Sequence, residues 1–202
     1  MTRIEYRGKR AFDLLLTLAT APFWIPTGIV CAAAIRIDSP GGILFRQRRI
    51  GRAGTPFDVL KFRSMIDDPQ GNPIIPDEKR FTRVGRVLRR WSLDELPQLL
   101  NVLRGEMSLV GPRPTLEYQV ERYDDRQRQR LSVRPGLTGL AQVKGRNTIS
   151  WAERIEFDLE YIRRQSALID LELLALTPVA VIGGRGVSGH LKDDPLVTLP
   201  PE

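Results

Sequence analysis

Two adjacent carboxylates, Asp94 and Glu95, are the residues of this sequence whose types and spacing are best suited to chemistry. They lie near the start of the stretch SLDELPQLLNVLRGEMSLVGPRP, which runs from Ser92 to Pro114. One carboxylate of such a pair can act as a nucleophile while the other holds a divalent cation. Mg²⁺ suits the second role, because proteins commonly bind it through one or two carboxylates together with substrate phosphates.

The same pair also has a purely structural explanation. Glu95 stands three residues after Ser92, which matches a capping box at the start of a helix. A helix with Asp94 as its N-cap instead places Pro97 within the first turn, where its missing N–H is not needed. Either start puts both carboxylates at a helix N-terminus, an end that attracts anions such as phosphate. These residues alone favour capping, so a catalytic role requires further support.

Several cations along the chain could bind phosphate groups. Arg113 stands between two prolines that restrict its backbone, in the turn that ends the stretch. Lys61 and Arg63 alternate onto one face of a predicted strand, although a charged, solvated edge strand would have the same pattern. Arg89 precedes the carboxylates, and Arg146 lies near the end of the glycine-rich VRPGLTGLAQVKGRN, whose backbone N–H groups could cradle a phosphate. These five cations are the predicted phosphate ligands.

The composition points to an anionic partner. The 202 residues include 31 lysines and arginines against 24 acids, and only five of the 31 are lysines. Because arginine binds phosphates in a forked geometry, the partner is expected to be a nucleic acid, a phosphorylated small molecule or an acidic membrane surface. A biased base composition of the genome would also produce an excess of arginine over lysine. A single cysteine, Cys31, excludes an intramolecular disulfide, and a single histidine, His190, argues against a histidine metal site or triad.

An uncharged apolar segment from Leu14 to Ile35 is long enough to cross a bilayer. Pro22 and Pro26 fall near its middle, where proline removes helix hydrogen bonds and kinks the axis. Basic residues flank the segment on both sides, and a spanning helix would leave one basic cluster on the disfavoured side. A re-entrant helix–break–helix with arms over Ala11–Ala21 and Thr27–Ile37 satisfies both flanks. The segment alone leaves re-entry and spanning equally open.

The remaining pattern predicts an α+β fold that is mostly helical. Two strands are expected within Ile43–Met65, joined at Gly51–Pro56 into a small β-hairpin. Helical segments follow, and they are a basic segment at Val84–Arg90, a charged one at Glu117–Leu131, an amphipathic one at Trp151–Arg164 and an apolar, interfacial or core one at Leu171–Ile182. We predict a re-entrant membrane segment with its basic flank at 1–37, and a membrane-associated cytosolic catalytic domain at 38–202.

Six motifs, in the same order, resemble those of the bacterial sugar transferases, the small monotopic polyprenol-phosphate phosphoglycosyl transferases. The resemblance covers nearly the whole chain, from Lys9 to His190. The motifs are KRAFD, FRQRRIG, KFRSM, SLDELPQLLNVLRGEMSLVGPRP, VRPGLTGLAQVKGRN and GVSGH. The resemblance is not complete at the helix break. Ile25 and Pro26 stand there, where close members of that family have a Ser-Pro pair.

The resemblance implies an enzyme that moves a sugar 1-phosphate from a nucleotide diphosphate sugar, expected to be a UDP-sugar, to polyprenol (undecaprenyl) phosphate. It implies that Asp94 is the nucleophile, forming a covalent phosphosugar intermediate, and that Glu95 binds Mg²⁺ as the cofactor. It further implies a re-entrant helix in the bacterial inner membrane, with catalysis at the cytoplasmic face as the first membrane step of glycoconjugate assembly. The expected partners are the nucleotide sugar, the polyprenol phosphate and the lipid bilayer, without nucleic acid. Association into a homo-oligomer stays open.

Two other functions fit parts of the sequence. A membrane-tethered nucleic-acid-binding protein would explain the basic charge, but no nucleic-acid-binding motif is present and the cations are scattered. A scaffold of the membrane surface without catalysis would explain the apolar segment, and it predicts that Asp94 is dispensable.

Overall fold

A computed structural model of the chain describes residues 5–66, 80–145 and 149–182. Within these ranges the regular structure is mostly helical, with two small sheets of two strands each. In chain order the elements are α1 (Lys9–Ala19), α2 (Ala21–Asp38), β1 (Leu44–Ile50), β2 (Pro56–Phe62), α3 (Arg83–Arg90), α4 (Gln98–Arg104), β3 (Ser108–Val110), α5 (Glu117–Glu121), β4 (Gly136–Thr138), α6 (Leu140–Lys144), α7 (Trp151–Arg164) and α8 (Ala167–Ile182). The mostly helical α+β class is therefore confirmed.

The strands β1 and β2 form the predicted antiparallel hairpin. Three cross-strand pairs share one of its faces, and they are Phe45–Lys61, Gln47–Val59 and Arg49–Phe57. Phe57 and Val59 are buried in the main hydrophobic cluster, so this face of the hairpin points inward. The polar side chains on the same face, Gln47, Arg49 and Lys61, therefore also point toward the protein and are half-buried.

The N-terminal apolar segment forms two helices, α1 and α2, which are bent by 62° where they meet at Thr20. Among the described helices, none is long and apolar enough alone to cross a membrane, whereas this bent pair meets that test jointly. The predicted position of the break, between Pro22 and Pro26, is wrong. Pro22 lies in the first turn of α2 and Pro26 lies inside that helix, so the arms are unequal, with 11 and 18 residues.

The break falls at Thr20 because Pro22 has no N–H to donate back to Leu18, so α1 cannot continue through this point. Side chains instead satisfy carbonyl groups at the end of α1. The Thr20 hydroxyl donates to the Leu16 carbonyl at 2.7 Å, and the Trp24 indole N–H donates to the Thr17 carbonyl at 2.9 Å. These bonds stabilise the bend, since unsatisfied carbonyl groups at a helix end are costly away from water.

Helix α1 is tied to the rest of the protein by charged side chains. The Arg10 guanidinium donates to the Leu103 carbonyl at 2.9 Å, in the last turn of α4. Asp13 accepts the Leu109 N–H of β3 at 3.2 Å, and Lys9 donates to Asp170 of α8 at 2.5 Å. Lys9, Asp13 and Asp170 are all buried. The N-terminal segment thus packs directly on the elements that carry the carboxylate stretch, while the division at residue 37 stays a prediction.

The segment predicted as one charged helix, Glu117–Leu131, is interrupted. Helix α5 ends at Glu121, and a separate 3₁₀ segment covers Gln127–Ser132. Between them the Asp124 carboxylate accepts the Gln127 N–H at 2.7 Å, a local bond that competes with helix continuation. The interruption turns Arg130 inward, where it is buried.

Three helices, α1, α2 and α8, leave large apolar side chains exposed. On α2 the Phe23 side chain is 76% exposed, and on α8 the Ile182 side chain is 70% exposed. Further exposed apolar residues on α1, α2 and α8 are Leu15, Leu18, Ile29, Val30, Leu168 and Val179. Large exposed apolar surfaces mark contact sites for partners or lipid, so these helices require a covering environment.

Candidate active site

The two carboxylates lie on one turn of 3₁₀ helix, Leu93–Glu95, between α3 and α4. Helix α4 begins only at Gln98, so both predicted capping arrangements are wrong. The side chain of Ser92 does not cap the turn, and Asp94 lies inside it. Ser92 adopts a φ of 55°, in the left-handed region, which redirects the chain sharply after α3. The structural explanation that competed with catalysis, helix capping, therefore does not account for the pair.

Glu95 is neutralised by two cations from different elements. The Lys61 ammonium lies 2.9 Å from its Oε1 atom, and the Arg113 guanidinium lies 2.6 Å from the same oxygen and 3.5 Å from Oε2. Burial alone would raise the pKa of Glu95, but the charges of Arg113 and Lys61 outweigh it and hold that pKa well below its ordinary value. Glu95 is therefore ionised at neutral pH.

The carboxylate of Asp94 has a different environment from that of Glu95. Within the described part of the chain, no hydrogen-bond or ion-pair partner lies on its carboxylate. Burial and the neighbouring Glu95 charge raise the pKa of Asp94 to about 6, against the lowering effect of Lys61, Arg89 and Arg113. The result is a desolvated carboxylate surrounded by cations but bonded to none, a state that favours reactivity over structural use.

The loop that carries Arg113 is held by its backbone. The Gly136 N–H donates to the Pro112 carbonyl at 2.8 Å, and the Ile50 N–H donates to the Thr115 carbonyl at 2.9 Å. A side chain at Gly136 could not be accommodated, because its Cβ would lie 2.1 Å from the Gly111 nitrogen. The close approach of these two glycines therefore fixes the position from which Arg113 reaches Glu95.

The remaining predicted phosphate ligands have different placements. Arg89 stacks on the Phe81 ring at 4.5 Å and lies near enough to lower the pKa of Asp94. Arg63 is buried and donates to the carbonyls of Pro40 at 2.6 Å and Ser39 at 2.8 Å, after α2. Its contacts thus give no support to a phosphate-binding role. Arg146 lies outside the described residues, and its role stays a prediction.

One site residue was missed by the sequence reasoning. Arg49 lies on the same face of the hairpin as Lys61. Its charge interacts with the charges of Arg113 and Glu95. The alternation of FRQRRIG contained the signal, because Gln47 and Arg49 fall on the side of the strand that faces the core while Arg48 faces solvent. The hairpin therefore contributes two cations to this region, one from each strand.

The carboxylate pair can accept a divalent cation only as part of a larger set. Among the described residues, no group of three or more His, Cys, Asp or Glu side chains could hold a metal ion. Glu95 Oε1 already accepts from two cations, while its Oε2 atom has only the 3.5 Å contact and keeps lone pairs available. Together with the unbonded Asp94 carboxylate, this fits Mg²⁺ if substrate phosphates complete its shell.

Comparison with known proteins gives a consistent result. A family model described as bacterial sugar transferase matches residues 4–184. The chain is 42% identical over 181 residues to the uncharacterized sugar transferase EpsL of Bacillus subtilis, covering 89% of each chain. It is 41% identical over 197 residues to the exopolysaccharide production protein ExoY of Sinorhizobium fredii, covering 89% of this chain and 87% of ExoY.

A longer relative carries a more specific name. The UDP-glucose:undecaprenyl-phosphate glucose-1-phosphate transferase of Escherichia coli is 43% identical over 182 residues. The alignment covers 84% of this chain but only 39% of that protein. The likeness to this relative therefore concerns one part of a larger polypeptide.

Proposed function

The chain belongs to the bacterial sugar transferase family, and on that premise we propose that it transfers a sugar 1-phosphate from a nucleotide diphosphate sugar to a polyprenol phosphate. Family membership confirms the resemblance carried by the six motifs. The name of the Escherichia coli relative supports a UDP-sugar and undecaprenyl phosphate as the two substrates. The name of ExoY supports a place in exopolysaccharide production.

The observation that carries the proposal is the contrast between the two neighbouring carboxylates. Glu95 is held by Lys61 and Arg113, whereas Asp94 has no bonded partner among the described residues and a pKa raised to about 6. A nucleophile must keep its attacking lone pair uncommitted, and nearby cations must neutralise the anion that it attacks. Asp94 meets both conditions.

In the first half-reaction, an Asp94 carboxylate oxygen attacks the phosphorus that bears the sugar. The bond from that phosphorus to the oxygen bridging the two phosphates breaks, and the nucleoside monophosphate leaves with that oxygen and its electron pair. Lys61, Arg89 and Arg113 neutralise the charge that shifts onto the leaving phosphate. The product on the protein is a phosphosugar joined to Asp94 through an acyl phosphate bond.

In the second half-reaction, a phosphate oxygen of the polyprenol phosphate attacks the same phosphorus. The bond to Asp94 breaks, its carboxylate is regenerated, and a polyprenol diphosphate sugar is released. Splitting the transfer into two displacements lets one set of cations serve both steps, since the reacting phosphorus stays beside Asp94 until the product is released.

Mg²⁺ is proposed as the cofactor, held by Glu95 Oε2 with the phosphates of the nucleotide sugar. When bound, the ion would supply additional neutralisation of the diphosphate charge. Glu95 is already ionised by the effect of Arg113 and Lys61, so it can take part without losing a proton first.

We place the enzyme on the cytoplasmic face of the bacterial inner membrane. The bend at Thr20, the exposed apolar side chains of α1, α2 and α8, and the basic residues on both sides of the apolar segment support a re-entrant insertion. Such a segment keeps the lipid tail of the second substrate in the bilayer while its phosphate stays at the interface.

The test uses the full chain in detergent with a panel of nucleotide diphosphate sugars and no polyprenol phosphate. Intact-protein mass spectrometry should detect a phosphosugar adduct, with one nucleoside monophosphate released per protein, and labelled nucleoside monophosphate should exchange into the nucleotide sugar. Excess EDTA should suppress both signals and Mg²⁺ should restore them. Asp94→Asn should remove adduct and exchange while the thermal unfolding midpoint is kept.

Three outcomes would contradict parts of the proposal. An adduct that persists in Asp94→Asn would place the nucleophile elsewhere. If the wild-type protein formed no adduct and showed no exchange, yet turned over once polyprenol phosphate was added, transfer would proceed directly in a ternary complex. Undiminished activity in EDTA would remove Mg²⁺ from the proposal.

A further inference from the structure

Arg49 is a partly buried cation in the candidate active site whose charge is not matched by a carboxylate. Its guanidinium donates to Gln47 Oε1 at 2.7 Å, two residues earlier on β1. Among the described residues, no Asp or Glu oxygen lies within 4 Å of it. Its neighbour Arg48 is 63% exposed and lies 3.8 Å from Asp58. The two adjacent arginines therefore have different environments, although their chemistry is identical.

The backbone brings Arg49 toward Arg113. The Ile50 N–H donates to the Thr115 carbonyl at 2.9 Å, which joins the end of β1 to the loop that follows β3. Arg49 immediately precedes one partner of this bridge, and Arg113 lies two residues before the other. Two like charges are thus held near each other, although only Arg113 reaches Glu95.

The site contains more cations than carboxylates. Among the described residues four cations act in it, and they are Arg49, Lys61, Arg89 and Arg113, against the two carboxylates Asp94 and Glu95. A nucleotide diphosphate sugar carries one negative charge on each of its two phosphates at neutral pH. Before any metal ion binds, the described groups therefore carry more positive than negative charge, which favours the binding of phosphates.

We propose that Arg49, oriented by Gln47, forms a second phosphate-binding subsite beside Arg113, which takes the phosphate that Asp94 does not attack. This inference rests on the proposed function for the identity of its substrates. The phosphate can come from the nucleoside monophosphate portion of the nucleotide sugar or from the polyprenol phosphate, since both are monoanionic or dianionic phosphates that must lie next to the reacting phosphorus. Arg49 can bind either as a fork, with Gln47 occupying one of its five N–H donors.

The electrostatics of Arg49 agree with this role. Burial and the neighbouring Arg113 charge lower the pKa of Arg49 to about 10, so its charge is disfavoured in the free protein but persists at neutral pH. A bound phosphate would relieve that repulsion, because an anion between two guanidinium groups is attracted by both. Structural arginines of this fold, such as Arg130, are instead relieved by a carboxylate of the protein itself.

The first test measures binding of inorganic pyrophosphate to the full chain in detergent by titration calorimetry. Arg49→Gln should weaken binding by about tenfold or more, the effect of losing one or two charge-assisted hydrogen bonds. Arg49→Lys keeps the charge without the fork and should fall between wild type and Arg49→Gln. Arg48→Gln is the matched control and should bind as wild type. Thermal unfolding midpoints of all variants establish that each is folded.

A second test identifies the source of the phosphate. If the subsite takes the nucleoside phosphate, Arg49→Gln raises the KM for the nucleotide sugar and the nucleoside monophosphate concentration needed for exchange, without changing the KM for polyprenol phosphate. If it takes the lipid phosphate, only the KM for polyprenol phosphate rises. Either result supports the subsite.

Wild-type pyrophosphate affinity and wild-type KM values in folded Arg49→Gln would overturn it. Pyrophosphate binding that depends on Arg49, in a protein that turns over no nucleotide sugar, would instead overturn the proposed function and leave the subsite standing.

Discussion

Arg113 lies between a half-buried cluster of charges and a buried one, and the two are built differently. In front, its guanidinium shares Glu95 with Lys61, and the adjacent Asp94 has no bonded partner among the described residues. Behind, its backbone carbonyl accepts from Arg130, whose guanidinium also contacts Asp158 at 2.6 and 2.9 Å and the Tyr123 hydroxyl. The front cluster contains a carboxylate without a bonded partner, whereas the carboxylate of the rear cluster is paired with Arg130.

The difference separates charges that hold the fold from charges that act on a substrate. Asp158 and Arg130 are 1% and 2% exposed and use their bonding capacity on each other and their neighbours, so together they add no net charge. With Arg49 and Arg89 counted, the front cluster keeps an excess of cations beside one unbonded carboxylate, which costs stability but leaves groups available for a ligand. The comparison predicts that equivalent substitutions in the two clusters have opposite consequences.

The largest expected effect is on the rear cluster. Asp158→Asn leaves the Arg130 charge buried without its partner, which should lower the free energy of unfolding by about 3–5 kcal/mol. The matched change Asp94→Asn removes a desolvated carboxylate that has no bonded partner, so the free energy of unfolding should stay unchanged or rise. Denaturant unfolding of both variants in the same detergent measures the difference. Similar losses in both would mean that Asp94 is a structural charge like Asp158.

An intermediate effect is expected at Arg113, which belongs to the front cluster through its side chain and to the rear cluster through its backbone. Arg113→Lys keeps the charge and the carbonyl contact with Arg130 but loses the two-pronged contact with Glu95. We expect kcat/KM for the nucleotide sugar to fall by roughly 10–100-fold, the effect of losing one charge-assisted hydrogen bond, with little change in unfolding. A large loss of stability with normal kcat/KM would assign Arg113 to the fold alone.

The smallest effect is a shift in pH dependence. In the proposed mechanism Asp94 attacks as the carboxylate, and its pKa is raised to about 6, so kcat/KM for nucleoside monophosphate exchange should fall about tenfold per pH unit below 6 and level off above 7. Lys61 lowers the pKa of Asp94 and Glu95 raises it. Lys61→Met should therefore move the acidic limb of the pH profile to higher pH. Glu95→Gln should move the acidic limb of its residual activity to lower pH.

Parallel shifts in these two variants would contradict the assignment of the limb to Asp94. Arg48→Gln serves as the control, since its side chain is 63% exposed on the opposite face of the hairpin and should leave the position of the limb unchanged.

The elements that depend on local patterning were predictable from the sequence. The hairpin, the basic helix α3 and the amphipathic helix α7 lie where alternation and helical periodicity placed them. The start of α4 was not predictable, because two capping patterns competed there and the chain adopted neither. The bend at Thr20 was also missed, since tolerance of Pro26 inside α2 depends on tertiary packing rather than on the residue itself.

The candidate site was predictable in its members more than in its geometry. Asp94, Glu95, Lys61, Arg89 and Arg113 are brought together, although they come from a strand, a helix, a 3₁₀ turn and a loop. Sequence spacing could not distinguish Arg63 from Lys61, because the backbone carbonyls that Arg63 binds follow α2, more than twenty residues earlier. Arg49 was missed because its inward orientation becomes visible only once the register of the hairpin is known.

The bond between Lys9 and Asp170 also has a consequence for biosynthesis. Its two residues are 161 positions apart, so at about 5–20 residues per second Lys9 emerges from the ribosome on the order of ten to thirty seconds before its partner is made. During that interval α1 cannot bury its lysine against α8, and its native docking must wait for the last described helix. The polar side of α1 therefore keeps access to water during that interval, and closure of this long loop is a late event in folding.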